Sequence, residues 1–356
     1  MKKSFADSTA AVREGEELDI AKLEAFLAIH ARRMKAPVSV EQFPGGHSNL
    51  TYLVKSGNQE VVLRRPPYGS KVKSAHDMGR EFKVLSKLHS VFGPAPEPLA
   101  ICEDIDVLGA PFYLMERIRG VVYRSEKPEG LVFEPHRVRD ACYSFIETLA
   151  ALHNLDYEEV GLGDLYRGPG YLERQLTGWE GRWRDSKTDE IPEMEVVLPW
   201  LKAELPPDSG ATIIHNDFKF DNILFSSKDL TTLVGVLDWE MSTIGDPLSD
   251  FALTLSNWRQ ANDGPASSPS MCFVSSETGA LTREELIRIY GRRTGRDTSN
   301  LLFHYVLALY KIAVIRQQIY YRYKVGLTQD PRFASLPASI LSAAQRAVRS
   351  IETGTI

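Results

Sequence analysis

The chain has 356 residues, which predicts two or three lobes rather than one small core, and its 43% hydrophobic and 25% charged residues are ordinary for a soluble globular protein. A formal net charge of −5 argues against bulk attraction to nucleic acid or to a membrane surface. Three scattered cysteines without a CxxC pair fit a reducing cytoplasm. Because the sequence has no long apolar run, we expect no signal peptide and no transmembrane helix.

The first part of the chain predicts a small β-rich lobe. Residues 1–17 are polar and are expected to fray, whereas 18–34 repeat apolar positions at helical spacing, so 1–35 are interpreted as an extension with one helix. The stretches "VSVEQF", "LTYLVKS", "EVVLRR" and "APFYLMERI" predict strands. "SAHDMGREFKVLSKLHSVF" predicts one inserted helix with Ser74 as its N-cap. Residues 36–118 are therefore predicted to form an N-lobe.

The rest of the chain, residues 119–356, predicts a large and mostly helical C-lobe. "PHRVRDACYSFIETLAALHNLD" is an amphipathic helical stretch, and residues 170–205 hold two more helical segments. Two short strands, "ATIIH" and "TLVGVLDW", bracket the polar stretch "NDFKFDN". Helical patterns follow from Pro247, interrupted by a polar loop at 260–280. The predicted fold class is α+β with two lobes.

The polar stretch and the Asp that follows it contain what phosphoryl transfer requires. Asp217 can orient an attacking hydroxyl, and Lys219 can face the charge on the moving phosphoryl group. Asn222 and Asp238 offer the oxygen ligands that Mg²⁺ prefers, with phosphate and water completing the shell. Asp and Asn also form turns everywhere, but three such residues in this order, each beside an apolar strand, favour a functional site.

The predicted N-lobe contributes residues for a nucleotide. The stretch "FPGGHSNLTYLV" is strand, Gly-Gly turn and strand, and glycines let a backbone approach phosphates closely. The residues of this turn assigned to nucleotide binding are Gly45, Gly46, Ser48 and Asn49. Arg64 on the next strand and Glu81 on the helix could brace the phosphates, although a surface role for Glu81 is nearly as plausible. Strand alternation favours Arg64 inward and Arg65 outward.

Over residues 36–330 the chain resembles the aminoglycoside phosphotransferase and choline kinase group of small-molecule kinases, which have the protein-kinase-like fold. The resemblance is carried by "HNDFKFDN", "LDWE" and "GDPLSDFA". It implies ATP as donor, a small-molecule hydroxyl as acceptor, Asp217 as catalytic base, and Asn222 and Asp238 as Mg²⁺ ligands. It also implies that the backbone of Glu116 to Ile118 bonds adenine. Two further residues would be structural and bond backbone near the loop: Asp246 and Asp250.

The sequence departs from that family at several points. Arg64 stands where these kinases often have Lys; an Arg is always charged and can hold phosphate oxygens, but the exchange is not conservative. It motivates the alternative of a nucleotide-binding pseudokinase that acts as a binding module. Asn216 stands where the catalytic loop often has Gly. "LDWE" in place of DFG, and no Arg before Asp217, argue against a protein kinase. His215 is interpreted as a core histidine that shapes the loop.

The acceptor is predicted from the late helical stretch "LLFHYVLALYKIAVIRQQIYYRYKVGLTQDP". It carries several tyrosines and four basic residues, which favour an acceptor with an anionic handle: Lys311, Arg316, Arg322 and Lys324. An equal alternative is a helix whose basic residues face water. The chain also looks similar to the kinase-like domain fused to some acyl-CoA dehydrogenases, in its "VLRR" and "HNDF" segments, which would imply a hydroxyacyl-CoA acceptor. An aminoglycoside-type antibiotic kinase is the other reading.

Overall fold

The computed structural model describes residues 8–44, 49–67, 77–127, 130–260, 263 and 272–356. The chain forms two compact units. Unit 1 comprises Met1–Val122 and Asn222–Ser242, and unit 2 comprises Tyr123–Asp221 and Thr243–Ile356. The chain therefore leaves the first unit, builds the first part of the second, returns to the first for one short segment, and then completes the second.

The described elements are as follows. The strands are β1 Ser39–Gln42, β2 Leu50–Ser56, β3 Gln59–Arg65, β4 Pro98–Cys102, β5 Phe112–Glu116, β6 Val121–Val122, β7 Thr212–Ile214, β8 Ile223–Phe225, β9 Leu233–Val236 and β10 Thr243–Gly245. The helices are α1 Ile20–His30, α2 Met78–Leu88, α3 Ile105–Leu108, α4 Pro135–His153, α5 Tyr171–Ser186, α6 Pro192–Ala203, α7 Pro247–Ser256, α8 Arg283–Thr294, α9 Leu301–Lys324 and α10 Leu336–Thr353.

Unit 1 is built on an antiparallel sheet with strand order β1-β2-β3-β5-β4. Alternate residues of β2, among them Leu50 and Tyr52, pack in one core cluster with Leu23 and Leu27 of α1. Because α2 packs against β4 and β5 as well, β3 is buried from Val61 to its end rather than alternating between core and solvent.

The burial of β3 corrects the prediction that Arg65 points outward into water. Its side chain is fully buried, and its guanidinium donates to the carbonyl of Leu108 at 2.8 Å and to that of Pro66 at 3.2 Å. Alternation does send Arg64 and Arg65 to opposite faces, but both faces are covered. A buried guanidinium persists because backbone carbonyls satisfy it.

The N-terminal segment also differs from the expectation that it frays. From residue 8 onward it lies along the sheet edge: Ala10 pairs with Gln42 of β1, and the N–H of Arg13 donates to the Gln42 side chain at 2.9 Å. The hydroxyl of Tyr52 donates to the Glu16 carbonyl at 2.8 Å. Buried polar partners on the sheet thus hold a stretch whose composition alone predicts disorder.

The helix starts in unit 1 follow ordinary capping chemistry. Asp19 accepts the N–H of Lys22 at 3.1 Å at the start of α1, and Asp77 accepts that of Arg80 at 3.0 Å at the start of α2. The predicted N-cap Ser74 lies outside the described residues. The helix cap is Asp77, three residues later in the chain.

A second small sheet of unit 1 has the order β6-β8-β9. It begins just after Gly120, where an added Cβ would lie 2.7 Å from the carbonyl oxygen of Phe225. Backbone occupies the space that a side chain would need, so this position requires glycine. The β8–β9 hairpin brings the "DN" end of the polar loop next to the "LDW" segment.

Unit 2 is mostly helical. The long helix α9 packs against α5, α7 and α10, and α4 packs against α8. A two-stranded antiparallel ladder, β7 with β10, pairs Thr212 with Gly245 and Ile214 with Thr243. No helix in the described ranges is long and apolar enough to cross a membrane. All three cysteines are buried and unbridged.

Candidate active site

The polar loop that follows β7 is held in place by a buried carboxylate that accepts hydrogen bonds from its backbone. Asp250 on α7 accepts the backbone N–H of His215 at 2.7 Å and that of Asn216 at 2.8 Å, and its side chain is inaccessible to solvent. The predicted structural role of Asp250 is thereby confirmed. Asp246 behaves likewise, since it caps α7 through the N–H of Ser249 at 3.0 Å and accepts the N–H of Ser209 at 2.5 Å.

His215 and Asn216 give the loop its shape. His215 is fully buried, and its Nδ1 accepts the backbone N–H of Asp217 at 3.2 Å, as expected of a core histidine. Asn216 has φ = 64°, in the left-handed region that Gly and Asn tolerate best. The same conformation explains why Asn can stand where the family that the sequence resembles often has Gly.

His153 supports this loop and was missed by the sequence reasoning. Its Nε2 lies 3.2 Å from Asp250 Oδ2 and its Nδ1 lies 2.7 Å from the hydroxyl of Tyr290. Burial alone would raise the pKa of Asp250, but the hydrogen bond and charge of His153, with His215 beside it, hold that pKa below its usual range. No local motif marks His153, because it ends α4, about 60 residues before the loop.

Asp217 and Lys219 form an ion pair at the exposed side of the loop. Lys219 Nζ lies 2.9 Å from Asp217 Oδ1, and the two side chains are 29% and 30% exposed. The carbonyl of Phe218, between them, accepts the hydroxyl of Thr254 on α7 at 2.9 Å. A carboxylate and an ammonium group thus stand together, open to solvent, on a backbone that is fixed on both sides.

Asn222 and Asp238 lie next to each other at one end of the β8–β9 ladder. Ile223 pairs with Val236, and the N–H of Leu237 donates to the Asn222 carbonyl at 2.8 Å. Asn222 is 9% exposed. Asp238 adopts φ = 68°, which costs a non-glycine residue roughly 1–2 kcal/mol, and its side chain is 28% exposed. The ladder therefore brings the backbones of Asn222 and Asp238 close together.

Arg64 joins the predicted nucleotide residues to the predicted metal residues. Its Nε lies 3.0 Å from Glu81 Oε2, which confirms that Glu81 is its partner rather than a surface residue. Its Nη2 contacts the carboxylate of Asp238 and lies 3.5 Å from Glu240 Oε2. Although burial opposes the charged form, Glu81 and Asp238 hold the pKa of Arg64 well above its ordinary value.

Glu240 is a second member of this cluster that the sequence reasoning missed. It accepts a hydrogen bond from the side chain of Asn49, which is 3% exposed. The signal was present in "LDWE", where Glu240 follows Asp238 by two residues. The cluster sets one guanidinium against three carboxyl groups, from Glu81, Asp238 and Glu240.

The remaining predicted nucleotide residues are only partly described. Glu116 ends β5 and donates its N–H to the Glu97 carbonyl at 2.8 Å, so what it can offer an adenine is its carbonyl. Ile118 follows on the short link to β6 and packs near Gly235. The turn residues Gly45, Gly46 and Ser48 lie outside the described residues.

The donor atoms of unit 1 suit a hard divalent cation. In the part of the chain that the structure describes, no three His, Cys, Asp or Glu side chains converge as a metal site. An amide and a carboxylate oxygen from Asn222 and Asp238, beside a carboxyl-rich cluster, fit Mg²⁺, which takes its other ligands from phosphates and water. The same set would be poor for a soft metal.

The predicted basic wall on α9 is not continuous. Arg316 donates to the Ser339 carbonyl at 2.9 Å on the side of α10, and Lys324 pairs with Asp189 at 3.1 Å. Arg322 is exposed, and Tyr310 is fully buried. Successive basic residues point in different directions because their spacing does not repeat every three or four residues. Of the four, Lys311 alone lines a cavity found in the described part of unit 2.

Comparison with known proteins gives a consistent result. Residues 39–297 match the family described as "Phosphotransferase enzyme family". The acyl-CoA dehydrogenase family member 11 of Rattus norvegicus is 37% identical over 337 residues, which are 92% of this chain and 42% of the rat protein. The chain spans less than half the length of that relative.

Solved structures of phosphotransferases are similar to this chain in fold. A putative aminoglycoside phosphotransferase from Ralstonia eutropha superposes with a TM-score of 0.78 at 29% identity, covering 94% of this chain and 99% of the other. The aminoglycoside phosphotransferase APH(4)-Ia, in a ternary complex with AMP-PNP and hygromycin B, gives a TM-score of 0.60 at 17% identity, covering 92% and 98%. These likenesses confirm the predicted protein-kinase-like α+β fold.

Proposed function

Because the chain belongs to the phosphotransferase enzyme family, we propose that it is a Mg²⁺-dependent kinase that transfers the γ-phosphoryl group of ATP to a small-molecule hydroxyl. The observation that carries the proposal is the Asp217–Lys219 ion pair on a loop whose backbone is anchored by Asp250. Phosphoryl transfer depends mainly on positioning and on electrostatic stabilisation, and a fixed loop that presents a carboxylate beside a cation serves both.

In the proposed reaction, the acceptor hydroxyl donates a hydrogen bond to Asp217 and attacks the γ-phosphorus in line. The new bond joins the acceptor oxygen to phosphorus, the bond from the γ-phosphorus to the bridging oxygen breaks, and ADP leaves. The hydroxyl proton passes to Asp217 late in the step, because an alcohol is a poor acid. Lys219 faces the charge that spreads over the transferred phosphoryl oxygens.

The proposed nucleotide side uses the residues of unit 1. Asn222 and Asp238 would hold Mg²⁺, which would supply positive charge to offset that of the phosphates. Arg64 would contact the phosphates, kept in place by Glu81 at 3.0 Å. Since Arg64 also contacts Asp238, the guanidinium would have to share that carboxylate with a bound metal.

For the acceptor we propose a hydroxyacyl-CoA. The support comes from the names of the relatives, which are acyl-CoA dehydrogenases of which this chain spans about two fifths. A kinase unit carried in the same polypeptide as an acyl-CoA enzyme would share its class of substrate. The alternative acceptor is an aminoglycoside-like polycation, which the related hygromycin B complex suggests.

The test of the kinase proposal is Asp217→Ala. We expect turnover with hydroxyacyl-CoA acceptors to fall at least about 100-fold, in line with the loss of a positioned base, while the affinity for ATP analogues stays within about twofold. Asp330→Ala, which removes a half-buried carboxylate paired with the exposed Arg332, is the control and should leave both unchanged. Undiminished turnover in Asp217→Ala would exclude the assigned role.

The pseudokinase alternative is favoured by one observation, the contact of Arg64 with Asp238, the carboxylate proposed to bind the metal. It predicts that ATP binds without Mg²⁺ and that no phosphorylated product forms with any acceptor. Mass-spectrometric detection of ATP-dependent mass gain across a panel of hydroxyl compounds separates the two functions.

A further inference from the structure

A narrow cavity in unit 2 lies beside the catalytic loop and plays no part in the steps above. It is lined by side chains of α5, α7 and α9 and by Asn216, which directly precedes Asp217. The volume open to a water-sized group is about 20 Å³, enough for one such group. The total empty space is about 310 Å³, which includes the solvent at the cavity entrance. The enclosed part therefore fits one small polar group and not a sugar ring.

Lys311 supplies a cation to this cavity. It lies on the same face of α9 as His304, Leu307 and Ala308, which precede it by seven, four and three residues, and all four line the cavity. Its Nζ lies 5.6 Å from the ring centroid of Trp179, a cation–π contact. Within the described residues its ammonium group has no hydrogen bond or ion pair.

The electrostatic surroundings of Lys311 connect it to the catalytic loop. Burial lowers the pKa of Lys311, and the carboxylates of Asp250 and Asp217 act against that shift. Asp217 is thus near enough to influence the ammonium group. Asp250 is already bonded to the loop backbone and Asp217 to Lys219, so neither serves as a dedicated counter-ion.

One ring nitrogen of His304, in the cavity wall, also lacks a hydrogen-bond partner within the described residues. His304 is 1% exposed; its Nδ1 lies 3.1 Å from the Ser249 hydroxyl and 3.6 Å from Asp246 Oδ1. Its Nε2 is buried and has no hydrogen-bond partner within the described ranges. Burial lowers the pKa of His304, so the ring is neutral at pH 7. A buried ring nitrogen without a partner is costly, and a ligand that bonds it removes that cost.

From this geometry we propose that Lys311 is a specificity-determining residue whose ammonium group binds a carboxylate or carbonyl oxygen of the acceptor in this cavity. The inference rests on the kinase function proposed above and names the acceptor chemistry that its site selects. An oxygen of the acceptor would bond the ammonium group while the hydroxyl of the same molecule reaches Asp217. An acceptor rich in ammonium groups would instead meet an uncompensated like charge.

The experiment compares Lys311→Met, Lys311→Arg and wild type, each as the full chain. Two probes offer an oxygen that could bond the ammonium group of Lys311. In hydroxybutanoate it belongs to a carboxylate, and in hydroxybutanoyl-CoA it belongs to a thioester carbonyl. Kanamycin is the polycationic probe. The control is Lys324→Met, which removes a lysine of the same helix that pairs with Asp189. Thermal unfolding of every variant shows whether the fold is retained.

We expect Lys311→Met to raise KM for the preferred anionic or carbonyl acceptor about 10- to 100-fold, the range for one lost charge-assisted hydrogen bond. KM for ATP should be unchanged, Lys311→Arg should recover part of the effect, and Lys324→Met should match wild type. An unchanged acceptor KM in a folded Lys311→Met, or a wild-type preference for kanamycin, overturns the inference.

Binding measurements separate this inference from the function on which it rests. Calorimetric titration of hydroxybutanoyl-CoA into Asp217→Asn, with and without Lys311→Met, reports the cavity contact without turnover. If wild type phosphorylates its acceptor but Lys311→Met binds it equally well, the inference fails and the kinase proposal stands. If no acceptor is phosphorylated although binding depends on Lys311, the kinase proposal fails.

Discussion

Replacing Arg64 by Met is expected to destabilise unit 1 by about 3–5 kcal/mol, the usual cost of leaving one partner of a buried ion pair alone. The Glu81 side chain is 1% exposed, and its Oε2 lies 3.0 Å from Arg64 Nε. At an effective dielectric constant of about 20, a charge pair at that distance interacts with about 5–6 kcal/mol before desolvation is subtracted. Met keeps the apolar stem of Arg64 and removes its charge, so packing changes little.

The destabilisation should depend on pH in a direction fixed by Glu81. Burial raises the pKa of Glu81 and Arg64 counteracts it, so in Arg64→Met the raising effect acts with less opposition. A carboxyl group whose folded pKa is raised keeps its proton best in the folded state. The variant should therefore be most stable near or below the unfolded value of about 4.3, and lose stability relative to wild type as pH rises above it.

The assay is urea unfolding at pH 5 and pH 8, followed by ¹⁹F NMR of 5-fluorotryptophan. Trp239 is the one tryptophan in the sequence of unit 1, and its backbone N–H donates to Glu81 Oε1 at 3.2 Å. Adding Glu81→Gln to Arg64→Met should restore about half of the loss, because a neutral amide needs no cation. Arg332→Met, which removes an exposed guanidinium paired with Asp330, is the control. A loss below about 1 kcal/mol at pH 8 would refute the reasoning.

Two further outcomes test the supports of the site. Asp250→Asn should destabilise unit 2 by about 2–4 kcal/mol, because an amide cannot accept both loop N–H groups as a carboxylate does, and thermal unfolding at pH 7 measures this loss. Since the pKa of Asp250 is lowered, the stability that its carboxylate contributes is present at neutral pH and is lost as pH falls. A stability difference between the variant and wild type that grows on acidification would contradict this account. Asn222→Ala should raise the Mg²⁺ concentration for half-maximal turnover about tenfold, equivalent to roughly 1.4 kcal/mol, and an unchanged Mg²⁺ titration at saturating ATP would remove Asn222 from the metal site.

The polar loop between β7 and β8 could be predicted from the sequence because its residues are close together in the chain. Asp217, Lys219 and Asn222 lie within six residues, and the apolar pieces on either side predict the strands that hold them. The capping role of Asp246 is also local, since it acts on a helix that begins at the next residue. For residues this close in the chain, the sequence spacing itself indicates which side chains will lie near one another.

The parts that could not be predicted depend on contacts between distant residues. His153 reaches Asp250 across 97 positions, and Arg65 is buried because helices cover both faces of its strand. Alternation says which face a side chain takes, but it does not say whether that face is covered. The basic residues of α9 likewise looked equivalent in sequence, although Lys311 alone among them lines the cavity.

Helix α7 links the proposed chemistry to the proposed acceptor specificity. Asp250 on this helix fixes the backbone of the catalytic loop, and the preceding residue, Ser249, lines the cavity and bonds His304. A single rigid element therefore sets the position of Asp217 and part of the wall that would hold the acceptor. Since a displacement of reacting groups by about 1 Å can slow a reaction about 100-fold, building both features on one helix would keep the bound hydroxyl aligned with the proposed base. It follows that a change in the cavity wall at Ser249 should affect kcat as well as KM, whereas Lys311, which lies on another helix, should act mainly on acceptor binding.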